Sequence, residues 1–195
     1  SGAVTEHPRH STQMKVLTMN VPNFLSLLRL AMVPVFAVVF FQPSPTARYW
    51  AAGVYALAFV TDVADGYIAR HFNQVTRLGR ILDPLADKLM TFTVIVCITA
   101  AGIIPVWAVI IFFCKEAAMG LGALSMLHKI DDVIPSNWLG KVSTFVFFVV
   151  CAALVLFPQI PRSWATGMIS FALALTILAF LYYLWLYMSV LGKKK

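Results

Sequence analysis

The 195-residue chain is 61% hydrophobic and only 12% charged, with a mean hydropathy of +0.84; a soluble domain carries about 25% charged residues, so a soluble globular or disordered protein is excluded. The net charge of +7 would suit nucleic acid, but the basic residues border apolar runs, which points to anionic lipid head groups and away from a nucleic-acid partner. Cys97, Cys114 and Cys151 sit inside apolar runs with no partner at metal-ligand spacing and read as small buried hydrophobes.

In chain order, residues 1–13 are expected to form a polar tail whose opening Ser1-Gly2-Ala3-Val4 reads as a cloning remnant. Residues 14–195 are expected to form a single six-helix membrane domain. No secretory signal peptide is expected, because the first apolar stretch is long, contains Arg29 and has no small-residue cleavage site behind it. Residues 14–19 read as a short surface segment leading into the first span. A helix crosses the hydrocarbon core with about 20 apolar residues. Six stretches qualify, at 22–41, 47–69, 80–103, 105–127, 138–157 and 164–190. The gaps hold breakers: Pro43 and Pro45, Asn73, Gly102 and Pro105, Pro135, and Pro158 with Pro161. Pro34 falls inside the first span, where a kink is expected. The expected fold class is therefore all-α: a polytopic membrane protein of six transmembrane helices with a short N-terminal juxtamembrane segment.

Orientation follows from Lys and Arg. With the N-terminus inside, the inner segments hold Arg9, Lys15, Arg70, Arg77, Arg80, Lys129, Lys141, Lys193, Lys194 and Lys195, and the outer loops only Arg48 and Arg162. Both termini are thus expected in the cytoplasm, and the chain in a bacterial inner membrane. Trp50, Trp107, Trp138 and Trp164 lie near span ends, as interface anchors do.

The acids are distributed differently. Asp62 and Asp65 close the second span, and Asp83 and Asp87 open the third. Asp62, Asp65 and Ala69 stand at i, i+3 and i+7, and Asp83 and Asp87 at i and i+4, so each set shares one helix face. A short loop makes the two helices antiparallel neighbours and brings the pairs to similar depth. At roughly 4 Å and an effective dielectric of about 20, each like-charge pair repels by about 4 kcal/mol. Either some carboxylates are protonated or cations sit among them. Two divalent ions would cancel four charges, and all-oxygen ligands favour Mg²⁺ or Mn²⁺. Such a site suits phosphoryl chemistry. The plainer reading is pairing with Lys88, Arg70 or Arg80. A cation or proton pathway in a transporter is a further alternative, against which residues 51–60 and 91–104 are almost wholly apolar. Gly66 and Gly79 lie near the acidic faces, where a ligand or another helix could approach closely. Arg70, one turn beyond Gly66, is the best placed of the loop arginines for a phosphate contact.

Asp62-Val-Ala-Asp65-Gly66-Tyr-Ile-Ala69-Arg70, eight residues, then Gly79-Arg-Ile-Leu-Asp83-Pro-Leu-Ala-Asp87 resembles the signature D-x2-D-G-x2-A-R-x8-G-x3-D-x3-D of the CDP-alcohol phosphotransferase family at every specified position. The resemblance implies that Asp62, Asp65 and Asp83 ligate metal, with Asp87 a ligand or the general base. It implies that Gly66, Ala69 and Gly79 admit the CDP moiety, that Arg70 contacts it, and that Asp62 and Asn23 belong to the CDP-binding set. It also implies a homodimer with a cytoplasmic active site. Asn20-Val-Pro-Asn23-Phe-Leu-Ser26-Leu-Leu-Arg29 is similar to the first-helix pattern I-P-N-x-L-T-x-x-R of the phosphatidylglycerophosphate synthase branch, with Ser26 in place of Thr. Trp138-Leu139-Gly140-Lys141 resembles that branch's W-x-G-K, whereas Lys115-Glu116 stands where Arg-Glu is common. The implied reaction moves a phosphatidyl group from CDP-diacylglycerol to glycerol 3-phosphate, with Arg29, Arg77, Lys115 and Lys141 as candidates for the acceptor's phosphate. For Arg29 the competing reading is a snorkelling or paired arginine; for Lys115, an ion pair. A cardiolipin synthase of the same fold, using phosphatidylglycerol, is the nearest alternative.

Overall fold

The computed structural model describes residues 21–71, 79–126 and 138–192. The polar tail, the segment at 14–19 and Arg77 lie outside the described residues. Six helices follow one another: α1 (Val21–Phe40), α2 (Ala47–His71), α3 (Gly79–Ala100), α4 (Val106–Met126), α5 (Trp138–Leu156) and α6 (Arg162–Gly192). The chain is an all-α polytopic membrane protein. Among the described residues, stretches of α1, α5 and α6 are long and apolar enough to cross a membrane by composition alone. The two helices that carry the signature, α2 and α3, hold two aspartates each besides arginines or lysines, which lowers their hydropathy.

Helix ends fall where local chemistry stops the backbone ladder. The largest departure from expectation is α3, which ends at Ala100 rather than near 103. Gly102 adopts φ +74°, the left-handed region that glycine enters without a Cβ clash. Its N–H donates to Thr99 O at 2.8 Å, and Ile103 N–H donates to Ile98 O at 3.0 Å. That paired pattern is a Schellman cap, which satisfies the last carbonyls of α3. Thr46 opens α2, its carbonyl accepting from Trp50 N–H at 3.2 Å. Trp50, Trp107, Trp138 and Trp164 are exposed at helix ends.

The order of packing differs from the simplest expectation. α2 and α3 meet directly at few places, and α1 lies against both along much of its length. α5 packs on α2, α3 and α6; α4 packs on α3 and α6 and meets α5 through aromatic side chains. In lipid, apolar transfer no longer drives helices together, so close packing of small and aromatic side chains must hold them. Ala51 and Ala58 are buried on α2, where they permit close approach to α1. Phe36 stacks on Phe40 at 5.6 Å and meets Tyr55 at 6.1 Å; Phe59 stacks on Phe148 at 4.0 Å, and Phe112 on Phe147 at 5.1 Å. Arg48 lies over the Phe40 ring at 3.8 Å. Cys97 and Cys151 are buried as expected, but Cys114 is exposed. Its place on α4 turns it away from the helices that α4 packs on, so it is an outward-facing apolar residue rather than a core one.

Candidate active site

One face of α1 changes character along its length. Met32, Phe36 and Phe40 are apolar, whereas Asn23, Ser26 and Arg29 are polar and buried. A buried guanidinium is costly unless it meets opposite charge. Arg29, 1% exposed, meets it twice: Nη1 lies 2.7 Å from Asp62 Oδ1, and Nη2 donates to Asp65 Oδ2. On its other side α1 reaches α3, where Ser26 Oγ donates to Asp83 Oδ1. The helix between α2 and α3 is therefore polar at the level of the signature carboxylates, and its side chains organise them from both sides.

The structure places the candidate residues in three groups. Asp62, Asp65 and Asp83 gather around the polar end of α1, with Asp62 about one-third exposed and Asp65 buried. Asp87 lies one turn further along α3. Asp62 is within Coulombic reach of both Asp83 and Asp87. Gly66 is half-buried, one residue past Asp65. Ala69 and Arg70 fall in the last turn of α2, and Gly79 opens α3. Of the acceptor candidates, Lys115 and Lys141 line a cavity of about 720 Å³. Arg29 does not line it: the guanidinium is spent on Asp62 and Asp65. Arg29 is thus a partner of Asp62 and Asp65; Lys88, one of the partners the plainer reading offered, has its Nζ 3.1 Å from Glu116 Oε2, and the side chains of Arg70 and Arg80 lie outside the described residues.

The cavity is lined by residues of α2 to α6. Phe112, Met119, Phe145, Phe147, Phe180 and Leu184 give it mainly apolar walls, and Asp87, Lys88, Lys115, Glu116 and Lys141 place charge in it. Tyr183 packs on Gly140, where an added Cβ would stand 3.4 Å from the ring. A smaller cavity of about 50 Å³ adjoins it, where Arg29, Asp62, Asp87, Thr91 and Thr144 meet apolar residues such as Phe59 and Phe148. Asp87, Thr91 and Thr144 line both, so the carboxylate cluster and the large cavity are neighbours across Asp87.

Comparison with known proteins agrees with this geometry. Residues 19–188 match the CDP-alcohol phosphatidyltransferase family. The chain belongs to that family. It is 36% identical over 175 residues to a Mycobacterium tuberculosis protein provisionally named a cardiolipin synthase, covering 89% of this chain and 81% of that one. It is 33% identical over 149 residues to the CDP-diacylglycerol–glycerol-3-phosphate 3-phosphatidyltransferase of Bacillus subtilis, covering 70% and 77%. It is 39% identical over 135 residues to a CMP-forming cardiolipin synthase of Streptomyces coelicolor, covering 67% and 61%. The match runs through all six helices and sets the transporter reading aside.

CDP-alcohol phosphatidyltransferases generally depend on a divalent cation. Among the described residues, no three His, Cys, Asp or Glu side chains converge closely enough to hold one ion. The donor set nevertheless fits such an ion in kind and charge. Asp62, Asp65, Asp83 and Asp87 are hard oxygen ligands, and Arg29 offsets only one of their four charges. The Nε and Nη1 of Arg29 are also buried without a hydrogen-bond partner, Nη1 keeping only its ion-pair contact with Asp62.

Ser26 and Glu116 are site residues that motif reading quoted but gave no role. For Ser26 a signal was present: its hydroxyl sits at the Thr position of the first-helix pattern. For Glu116 the signals were an acid within an apolar span and its place in the Lys115-Glu116 pair.

Proposed function

We propose that this CDP-alcohol phosphatidyltransferase transfers the phosphatidyl group of CDP-diacylglycerol to glycerol 3-phosphate and releases CMP. The observation that carries the reading is that Asp87 lines the same cavity as Lys88, Lys115 and Lys141. A carboxylate placed to take a hydroxyl proton thus shares a chamber with cations suited to an acceptor's phosphate.

In the favoured route the acceptor hydroxyl gives its proton to Asp87, and its oxygen attacks the phosphorus that bears diacylglycerol. The bond from that phosphorus to the oxygen shared with the cytidylyl phosphate breaks, and CMP leaves with the electron pair. Asp62, Asp65, Asp83 and Asp87 would hold two divalent cations, Mg²⁺ or Mn²⁺, which when bound neutralise phosphate oxygens. Gly66, Ala69 and Gly79 would leave room for the CDP moiety, with Asn23, Asp62 and Arg70 contacting it. Lys115 and Lys141 would meet the acceptor's phosphate; Arg77 stays a candidate from sequence alone, and Arg29 leaves that group for the carboxylates. We take residues 14–195 to be one domain, homodimeric, in a bacterial inner membrane, with its active site at the cytoplasmic face; the Lys and Arg asymmetry supports that orientation.

A second reading has phosphatidylglycerol as the acceptor. It is favoured by the apolar walls of the cavity, which suit an acceptor that carries acyl chains. The two are separated by supplying purified protein with CDP-diacylglycerol, Mg²⁺ and each acceptor in turn, and analysing products by mass spectrometry. Phosphatidylglycerophosphate supports the first reading and cardiolipin the second. CMP release with neither acceptor overturns both.

A further inference from the structure

Lys88 on α3 and Lys115 on α4 converge on one carboxylate. Glu116 Oε2 lies 3.1 Å from Lys88 Nζ, and Glu116 Oε1 is paired with Lys115 Nζ. Neighbouring residues on a helix point about 100° apart, so Lys115 reaches Glu116 only by folding its long chain back. Its ammonium ends 5.4 Å from the centre of the Phe112 ring, with 10% of the side chain exposed. Two ammonium groups this close repel each other, and the carboxylate between them is what holds them together. All three side chains line the large cavity, as do Lys141 and Asp87. The Lys88–Glu116–Lys115 group carries one net positive charge. With Lys141 the cavity wall presents three ammonium groups against the carboxylates of Glu116 and Asp87, an excess of positive charge that suits the phosphate of a monoester.

We infer that Glu116 is a positioning residue: it fixes the ammonium groups of Lys88 and Lys115 at the cavity wall, where together with Lys141 they receive the acceptor's phosphate. This rests on the phosphatidyl-transfer reading above. Both oxygens of Glu116 are occupied by lysines, so it acts through them and does not touch the reacting atoms. Without it the two chains regain rotational freedom and separate, and the acceptor must order them again on binding.

The test is steady-state kinetics of the purified full chain with CDP-diacylglycerol, Mg²⁺ and glycerol 3-phosphate, or phosphatidylglycerol if that proves the acceptor. Glu116→Gln should raise the acceptor KM about tenfold, while KM for CDP-diacylglycerol stays within about twofold. Glu116→Asp, which keeps the charge on a shorter arm, should recover part of the loss. Lys115→Met should raise the acceptor KM in the same way, and the double variant should be little worse than either single one, because the two act as a unit. A purely structural pin between α3 and α4 would instead lower thermal stability and the amount of active protein, with the acceptor KM unmoved. That result, or additive effects in the double variant, overturns the inference. If Glu116→Gln does not fold, Lys115→Met and Lys88→Met carry the test, and an unchanged acceptor KM in both overturns it. CMP release absent from the wild-type protein with both acceptors removes the underlying reading; a working wild type with unaltered variants removes this inference alone.

Discussion

Replacing Arg29 with methionine keeps much of the side chain's bulk and deletes its charge. The guanidinium is 1% exposed and bridges Asp65, 4% exposed, and Asp62, 37% exposed. The Asp62 contact is screened and contributes at most about 1 kcal/mol. The Asp65 contact is different, because removing one partner of a buried pair strands the other and costs about 3–5 kcal/mol. That is a large part of the roughly 5–15 kcal/mol by which domains are stable. For a chain of this size about 1 kcal/mol moves Tm by about 2–4 °C, so Arg29→Met should melt about 10 °C lower in detergent with EDTA present. If the same aspartates bind divalent cations, Mn²⁺ must compete with the guanidinium in the wild-type protein but not in the variant. Adding Mn²⁺ should then raise Tm more in Arg29→Met than in wild type, and a saturating ligand at about 100 times its Kd adds about 2.7 kcal/mol. Thermal unfolding with and without Mn²⁺ measures both effects. Equal melting of the two proteins in EDTA would remove the structural role of Arg29. An equal Mn²⁺ increment in both would refute the idea that guanidinium and metal share Asp62 and Asp65.

Ser26→Ala deletes the hydroxyl that donates to Asp83, and should cost about 1–3 kcal/mol and reduce CMP release. Ser26→Thr should be close to wild type in both assays. Gly66→Leu should abolish binding of CDP compounds in a titration while helical content and elution volume stay normal, since the added side chain would fill the approach at the half-buried end of α2. EDTA should stop turnover and Mg²⁺ or Mn²⁺ should restore it; persistent CMP release in a metal-free preparation would rule out the two-cation scheme.

Much of the architecture was legible before any coordinates. A span needs about 20 apolar residues and its ends need breakers, so the pattern of hydropathy, proline and glycine dictates helices almost by itself. Apart from the end of α3, every boundary lies within two residues of expectation. The signature aspartates were legible for a similar reason: charge is too expensive inside an apolar span to be there without a task.

Neighbour relations were not legible. Spacing says which residues share a helix face, but not which helix that face meets. The loop between α2 and α3 suggested direct neighbours; the packed bundle puts α1 between them for much of their length. That decision turns Arg29 from a candidate phosphate contact into the counter-ion of Asp62 and Asp65, and gives Ser26 to Asp83. It is also packing that sets Glu116 between Lys88 and Lys115 and turns Cys114 outward. The sequence alone determined that six helices form and where their carboxylates lie along them, because hydropathy and helical periodicity are properties of local chain. Only the tertiary structure decided which charge answers which, because ion pairs between helices depend on rotation and proximity that no single segment encodes.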